Sequence, residues 1–131
     1  MEQVNDQSTP IEILKDAIRR FVAERQWEKF HNPKNMAISI GVESGDLLQV
    51  FQWISPETAK HITKTSKRGE KVAEELSDVV IYCLLLALAL DIDITTAILT
   101  KIESNAIKYP AEEYQGKYRR PDHQSSSPST I

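Results

Sequence analysis

The run from Val79 to Leu90 constrains this chain more than any other stretch, because nothing more polar than Tyr82 and Cys83 interrupts it. It is too short to cross a bilayer, which takes roughly 20 residues, and so reads as a buried core helix. Apolar almost all the way round, such a helix must be covered on more sides than a small monomer offers. The expectation is a helix enclosed in an oligomer. Directly ahead of it stands Glu74-Glu75-Leu-Ser-Asp78, so a pair of acids leads into the core with no linker between.

The remaining pattern is helical. Ile11, Leu14, Ile18, Phe21 and Val22 recur at helical spacing and the pattern reaches Trp27 and Phe30. Ser8 or Thr9 is placed to cap this helix ahead of Pro10. Asn32-Pro33 ends the first helix and starts a second, since the residue before proline is pushed out of the helical region. The second should run from Pro33 to Ile54 on a stripe of Met36, Ile40, Leu47, Phe51 and Ile54. Gly41 and Gly45 lie inside it, where glycine costs about 1 kcal/mol relative to alanine. They either break the helix or admit a neighbouring helix or ligand close to its backbone.

Ser55-Pro56-Glu57 predicts a short helix to about Lys64. The third main helix starts near Arg68 or Glu70 and ends at Leu90. Asp93 caps a fourth, with Ile94, Ile98, Ile102 and Ala106 as its stripe, up to Tyr109 and Pro110. No alternating strand pattern and no internal repeat occurs. The fold class is therefore all-α, an antiparallel four-helix bundle in an oligomer. Residues 1–10 read as a flexible N-terminus, 11–110 as the helical domain and 111–131 as a polar, disordered tail.

A chain of 131 residues can form one domain with a real core. The net charge of −3 gives no footprint for nucleic acid, and no segment reads as a membrane span. The single Cys83 excludes an intramolecular disulfide framework, and the N-terminus has neither a basic nor an apolar leader region. A reducing compartment is expected, the cytoplasm first.

Glu43 and Asp46 are three residues apart, as are Glu75 and Asp78, so each pair occupies one helix face. Two such helices side by side would gather four carboxylates. Their mutual repulsion calls for a cation or shared protons, and oxygen-only ligands favour Mg²⁺, with Mn²⁺ as a substitute. Acidic pairs at this spacing are common on surfaces. These two stand out because Glu43 lies among Ile38, Ile40, Val42 and Leu47, and Asp78 precedes Val79.

Other residues admit two readings. Glu28 and His31 form an ExxH pattern of di-iron type, but no second copy exists, and His31 at a helix end making a local hydrogen bond is the simpler account. Trp27 and Trp53 lie near helix ends, where an indole can face a pocket and stack on a planar base. Core packing is the ordinary alternative for both. Lys60, Lys64, Lys67, Arg68 and Lys71, and the fourth helix's Lys101, Asn105, Lys108 and Tyr109, are by default solvated. Beside a bound Mg²⁺ they would suit a phosphate chain.

Four segments together carry a resemblance: Phe21-Val-Ala-Glu-Arg25-Gln-Trp27 through His31-Asn-Pro33-Lys-Asn35, Gly41-Val-Glu43 with Phe51-Gln-Trp53, Glu74-Glu75-Leu-Ser-Asp78-Val-Val-Ile-Tyr82, and Lys101 through Asn105 to Lys108-Tyr109-Pro110. In this order and spacing the chain resembles the MazG-like all-alpha nucleoside triphosphate pyrophosphohydrolases, closest to their dCTP pyrophosphatase branch. The resemblance spans about residues 11–110. It implies Mg²⁺-dependent cleavage of a nucleoside triphosphate, dCTP or a modified dCTP, between its α and β phosphates. It also implies metal ligands at Glu43, Asp46, Glu75 and Asp78, with Glu43, Glu75 and Asp78 catalytic. A base pocket would contain Trp27, His31 and Trp53, and Lys101, Asn105, Lys108 and Tyr109 would meet sugar and phosphates. Homodimers or homotetramers are implied as well. Asp46 departs from the family's usual glutamate and reaches one methylene less. A catalytically weakened nucleotide-binding or scaffold protein of the same fold is the alternative.

Overall fold

The computed structural model describes residues 3–117, which form helices and turns with no strand among them. They fall into two compact units, one reaching to Ile92 and the other beginning at Asp93. The first contains α1 (Ile11–Glu24), a single 3₁₀ turn (Glu28–Phe30), α2 (Pro33–Phe51), the short α3 (Pro56–Lys60) and the long α4 (Lys67–Ala89). The second contains α5 (Ile94–Lys108) and the one-turn α6 (Ala111–Tyr114).

Four helix starts are set by side-chain oxygens that take up backbone N–H groups left without a partner at a helix N-terminus. Asn32 Oδ1 accepts from Asn35 N at 2.9 Å and Ser55 Oγ from Thr58 N at 3.1 Å. Ser66 Oγ accepts from Gly69 N at 3.0 Å and Asp93 Oδ1 from Thr96 N at 2.9 Å. The Ser66 cap starts α4 at Lys67, slightly earlier than the sequence suggests. α1 has no side-chain cap. Ser8 and Thr9 instead turn their N–H groups onto Asn5 O, at 3.3 and 3.0 Å.

The first helix is shorter than its periodicity predicts, and the cause is Gln26. Its φ of 53° is left-handed, and it brings Trp27 N to Val22 O at 3.1 Å and Gln26 N to Ala23 O at 3.0 Å. This pair of bonds is a Schellman closure, usually built on glycine. α4 ends the same way on Asp91, φ 53°, with Ile92 N donating to Ala87 O at 2.8 Å. α2 likewise stops at Phe51 rather than Ile54, and α3 at Lys60 rather than Lys64.

In the first unit α4 is the common partner: α2 lies along it and α1 packs against it. Val22, Met36 and Leu85 form the buried centre, with Ile18, Tyr82, Leu86 and Leu88 packed around it. From α1 the inward face is Lys15, Ile18 and Val22, whereas Leu14 and Phe21, expected in the stripe, are exposed. Lys15 is buried and its ammonium donates to Ile92 O at 3.3 Å, a cation placed where α4 leaves carbonyls without partners. Leu76, Val80, Ile81 and Leu90 of the apolar helix stay exposed, as do Ile98, Leu99, Ile102 and Ile107 of α5.

Gly41 and Gly45 leave α2 unbroken. A Cβ built at either meets nothing within 4 Å, so no close approach among the described residues accounts for them. Gly69 is the tightly enclosed glycine: a Cβ there would come within 1.9 Å of Thr63 O. That carbonyl is held by Ser66 N at 3.1 Å and Ser66 Oγ at 2.7 Å, so the turn cannot yield without losing the α4 cap.

Gly69→Ala should therefore destabilise the fold by roughly 1–3 kcal/mol, measured by denaturant unfolding. Gly41→Ala in the same assay should gain about 0.5–1 kcal/mol from helix propensity. A loss at Gly41 would mean that another chain covers this face.

Candidate active site

The packing of α2 on α4 puts acids from both helices in one place. Glu43, Glu75 and Asp78 each offer a carboxylate oxygen, and the three oxygens lie within 4.8 Å of one another. Opposite ligands of an octahedral Mg²⁺ stand about 4.2 Å apart, twice its usual bond length. An all-oxygen donor set of this span fits a hard divalent ion after a small side-chain adjustment. Asp46, the fourth expected ligand, is outside this group of three, one helical turn from Glu43 on α2.

The electrostatics carry the imprint of this crowding. The Glu43 carboxyl is held above its ordinary range, first by burial and then by the charges of Asp78, Asp46 and Glu75. Glu75 accepts from Lys71 Nζ at 2.8 Å, and Glu74 stands 3.5 Å from the same ammonium. The hydrogen bond to Glu75 is the main reason that Lys71 holds its proton more tightly than usual.

Next to the acids is a cavity of about 410 Å³ walled by residues of α1, the turn after it and α4. Phe21, Trp27, His31, Tyr82 and Leu85 line it, and so does Asp78. Asp78 is thus a wall of the cavity and a member of the acid cluster. Trp27 reaches its position through the Gln26 closure and meets Phe21 edge to face, with ring centres 5.8 Å apart. His31 Nδ1 is buried and has no hydrogen-bond partner among the described residues, so the imidazole does not make the local bond that the simpler sequence account expects. A mostly apolar cavity of this size is suited to a small planar ligand.

Of the other expected residues, Trp53 shares the first unit with this cavity and four belong to the second. Trp53, just past the end of α2, is 88% exposed and does not line it. Lys101, Asn105 and Lys108 belong to α5 of the second unit. There Tyr109 N closes the helix onto Asn105 O at 2.8 Å, Lys108 Nζ is 5.4 Å from the Tyr109 ring centre, and Tyr109 meets Tyr114 edge to face. Phe21 and Tyr82 are not among the expected site residues, and Lys71 is expected only as one of five cations suited to a phosphate chain, not as a partner of Glu75. Tyr82 follows Asp78 by four residues and so shares its helix face, which is a signal in the sequence. The spacing of Phe21 fits the α1 stripe, which gives no sign that its ring faces a cavity.

Residues 38–119 match the MazG-like family. The dCTP pyrophosphatase 1 of Rattus norvegicus is 37% identical over 96 residues, covering 73% of this chain and 56% of the relative. That of Homo sapiens is 35% identical over 100 residues, covering 76% and 59%, and that of Bos taurus 34% over 110, covering 82% and 65%. The chain thus matches somewhat more than half the length of these relatives. A crystal structure of a pyrophosphatase from Archaeoglobus fulgidus superposes with a TM-score of 0.70 at 36% identity, covering 82% of this chain and 99% of that one. An all-α protein with acids gathered between two helices, the chain belongs to the MazG-like family.

The raised Glu43 value has a signed consequence. Without metal, Glu43 favours the folded state fully below its ordinary value of 4.5, and this contribution is lost as pH rises through the raised value. Glu43→Gln should remove the loss, so that in chelator the variant gains on the parent between pH 4.5 and neutrality. Denaturant unfolding at both ends of that window measures it, and a difference that does not grow with pH contradicts it.

Proposed function

We propose that this chain is a nucleoside triphosphate diphosphatase that hydrolyses the bond between the α and β phosphates of dCTP or a modified dCTP, releasing monophosphate and pyrophosphate. The observation that carries the reading is the sharing of Asp78 between the three-acid cluster and the aromatic cavity. A base seated in the cavity would have its phosphates at the acids. The kinship with dCTP pyrophosphatases points the same way.

In this reading Glu43, Glu75 and Asp78 would hold Mg²⁺, or Mn²⁺ in its place, and Asp46 would assist from one helical turn beyond Glu43. The bound ion would offset the triphosphate charge and acidify a water. Glu43 or Glu75 orients the attacking water and takes its proton. Trp27 stacks on the base and the His31 side chain, which lines the same cavity, flanks it. Lys101, Asn105, Lys108 and Tyr109 are assigned to sugar and phosphates on the resemblance alone.

The finer architecture we infer is an antiparallel four-helix bundle assembled as a homodimer or homotetramer. The exposed apolar side chains of α4 and α5 support it, and Trp53 would reach a base pocket through that assembly. Among the described residues no single helix is long and apolar enough to cross a membrane, and a cytoplasmic enzyme is the simplest extension. The domain is taken as residues 11–110. Residues 118–131 of the expected tail lie outside the described part, and Ala111–Tyr114 forms a helical turn.

Purified protein should release pyrophosphate and dCMP from dCTP when Mg²⁺ is present and neither when it is chelated. Alanine at Glu43, Glu75 or Asp78 should cut turnover by roughly 10²-fold or more, with helix content by circular dichroism unchanged. Retained activity in all three would remove the site. The position of Asp46 outside the three-acid group favours one rival, a nucleotide binder with weakened chemistry. That rival predicts tight dCTP binding with no pyrophosphate, and restored release in Asp46→Glu.

A further inference from the structure

Resting on the metal-site reading above, we propose that Lys71 is a tethered counter-cation that occupies Glu75 until a divalent ion displaces it, and so sets the metal affinity of the nucleotide-free protein. Lys71 Nζ is 2.8 Å from Glu75 Oε1, the same carboxyl that contributes to the three-acid group. The Glu75 side chain is only 13% exposed, while that of Lys71 is 56% exposed. The acid is therefore fixed in the groove and the cation comes to it from solvent.

Three features make this contact one that yields. Lysine precedes glutamate by four residues, the weaker of the two orientations for a helical pair. Its long exposed stem costs side-chain entropy to hold in one geometry. Glu74 Oε2 is 3.5 Å from the same ammonium, so a displaced Lys71 keeps an acceptor without crossing into bulk solvent. Local helix energetics thus do not favour the Lys71–Glu75 pair strongly. The crowding of three carboxylates does, because an ammonium at their edge offsets part of the repulsion that a divalent ion would otherwise relieve. The ion must take over that role and release the lysine, which lowers its apparent affinity.

The test is titration of Mn²⁺ and Mg²⁺ alone into the full chain, without nucleotide, followed by calorimetry. Four proteins are compared: the parent, Lys71→Met, Lys67→Met and Glu75→Ala. Lys67→Met removes the same charge one helical turn away, where no ion pair to Glu75 exists among the described contacts. Lys71→Met should tighten binding by about two- to fivefold, Lys67→Met by less, and Glu75→Ala should weaken it. Melting in chelator gives a second readout, in which Lys71→Met lowers stability and enlarges the rise on adding metal. Lys71→Gln repeats both measurements with a polar side chain.

Affinity in Lys71→Met equal to the parent's, or shifted no more than in Lys67→Met, overturns the counter-cation and leaves the metal site standing. Absence of Glu75-dependent binding in the parent and in Lys71→Met alike removes the metal site and the counter-cation together. Binding that emerges only in Lys71→Met supports both.

Discussion

The contact between α2 and α4 is what everything else in the first unit depends on. Apolar side chains hold the two helices together, with Met36 and Leu85 in the buried centre. The same contact forces Glu43 toward Glu75 and Asp78, three groups that repel one another as anions. Burial of the shared face outweighs that repulsion, which is then offset locally by a raised Glu43 value and by the Lys71 ammonium. A site prepared in this way is destabilised as it stands and has most to gain from a divalent cation.

Position along α4 divides the labour. Its N-terminal half, opened by the Ser66 cap, supplies the Gly69 contact and the two acids, while its C-terminal half supplies the buried Leu84, Leu85 and Ala87, and Lys15 donates to Ile92 O just past its end. Asp78 is where the two regimes meet. One helix thus carries acids along one stretch and an apolar wall along the next, with no loop between them to blur the distance. Rigid elements hold reacting groups more closely than loops do.

The exposed apolar positions have a different meaning in different places. Singly exposed aliphatic residues need no account. Here they recur on consecutive turns, at Leu76, Val80 and Ile81 in α4 and at Ile98, Leu99 and Ile102 in α5. Extended apolar faces of that kind are what supports the proposed assembly. The open backbone at Gly41 and Gly45 adds to the same picture, since two glycines retained in a straight helix without internal contacts weaken it for no gain within the chain.

Local chemistry was readable directly from the residues. The caps at Asn32, Ser55 and Asp93 and the stop after Leu90 follow from groups within a few positions of one another, and the paired acids follow from a three-residue spacing on a helix. The end of α1 was not readable, because Gln26 adopts a left-handed backbone that its side chain does not favour, and only the closure onto Val22 and Ala23 holds it there. The cavity at Trp27 and His31, the pairing of Lys71 with Glu75 and the separation of Trp53 from that cavity depend on which helix lies against which. Spacing along one helix says which side chains share a face. Only the packing of α1 and α2 on α4 decides what each face meets.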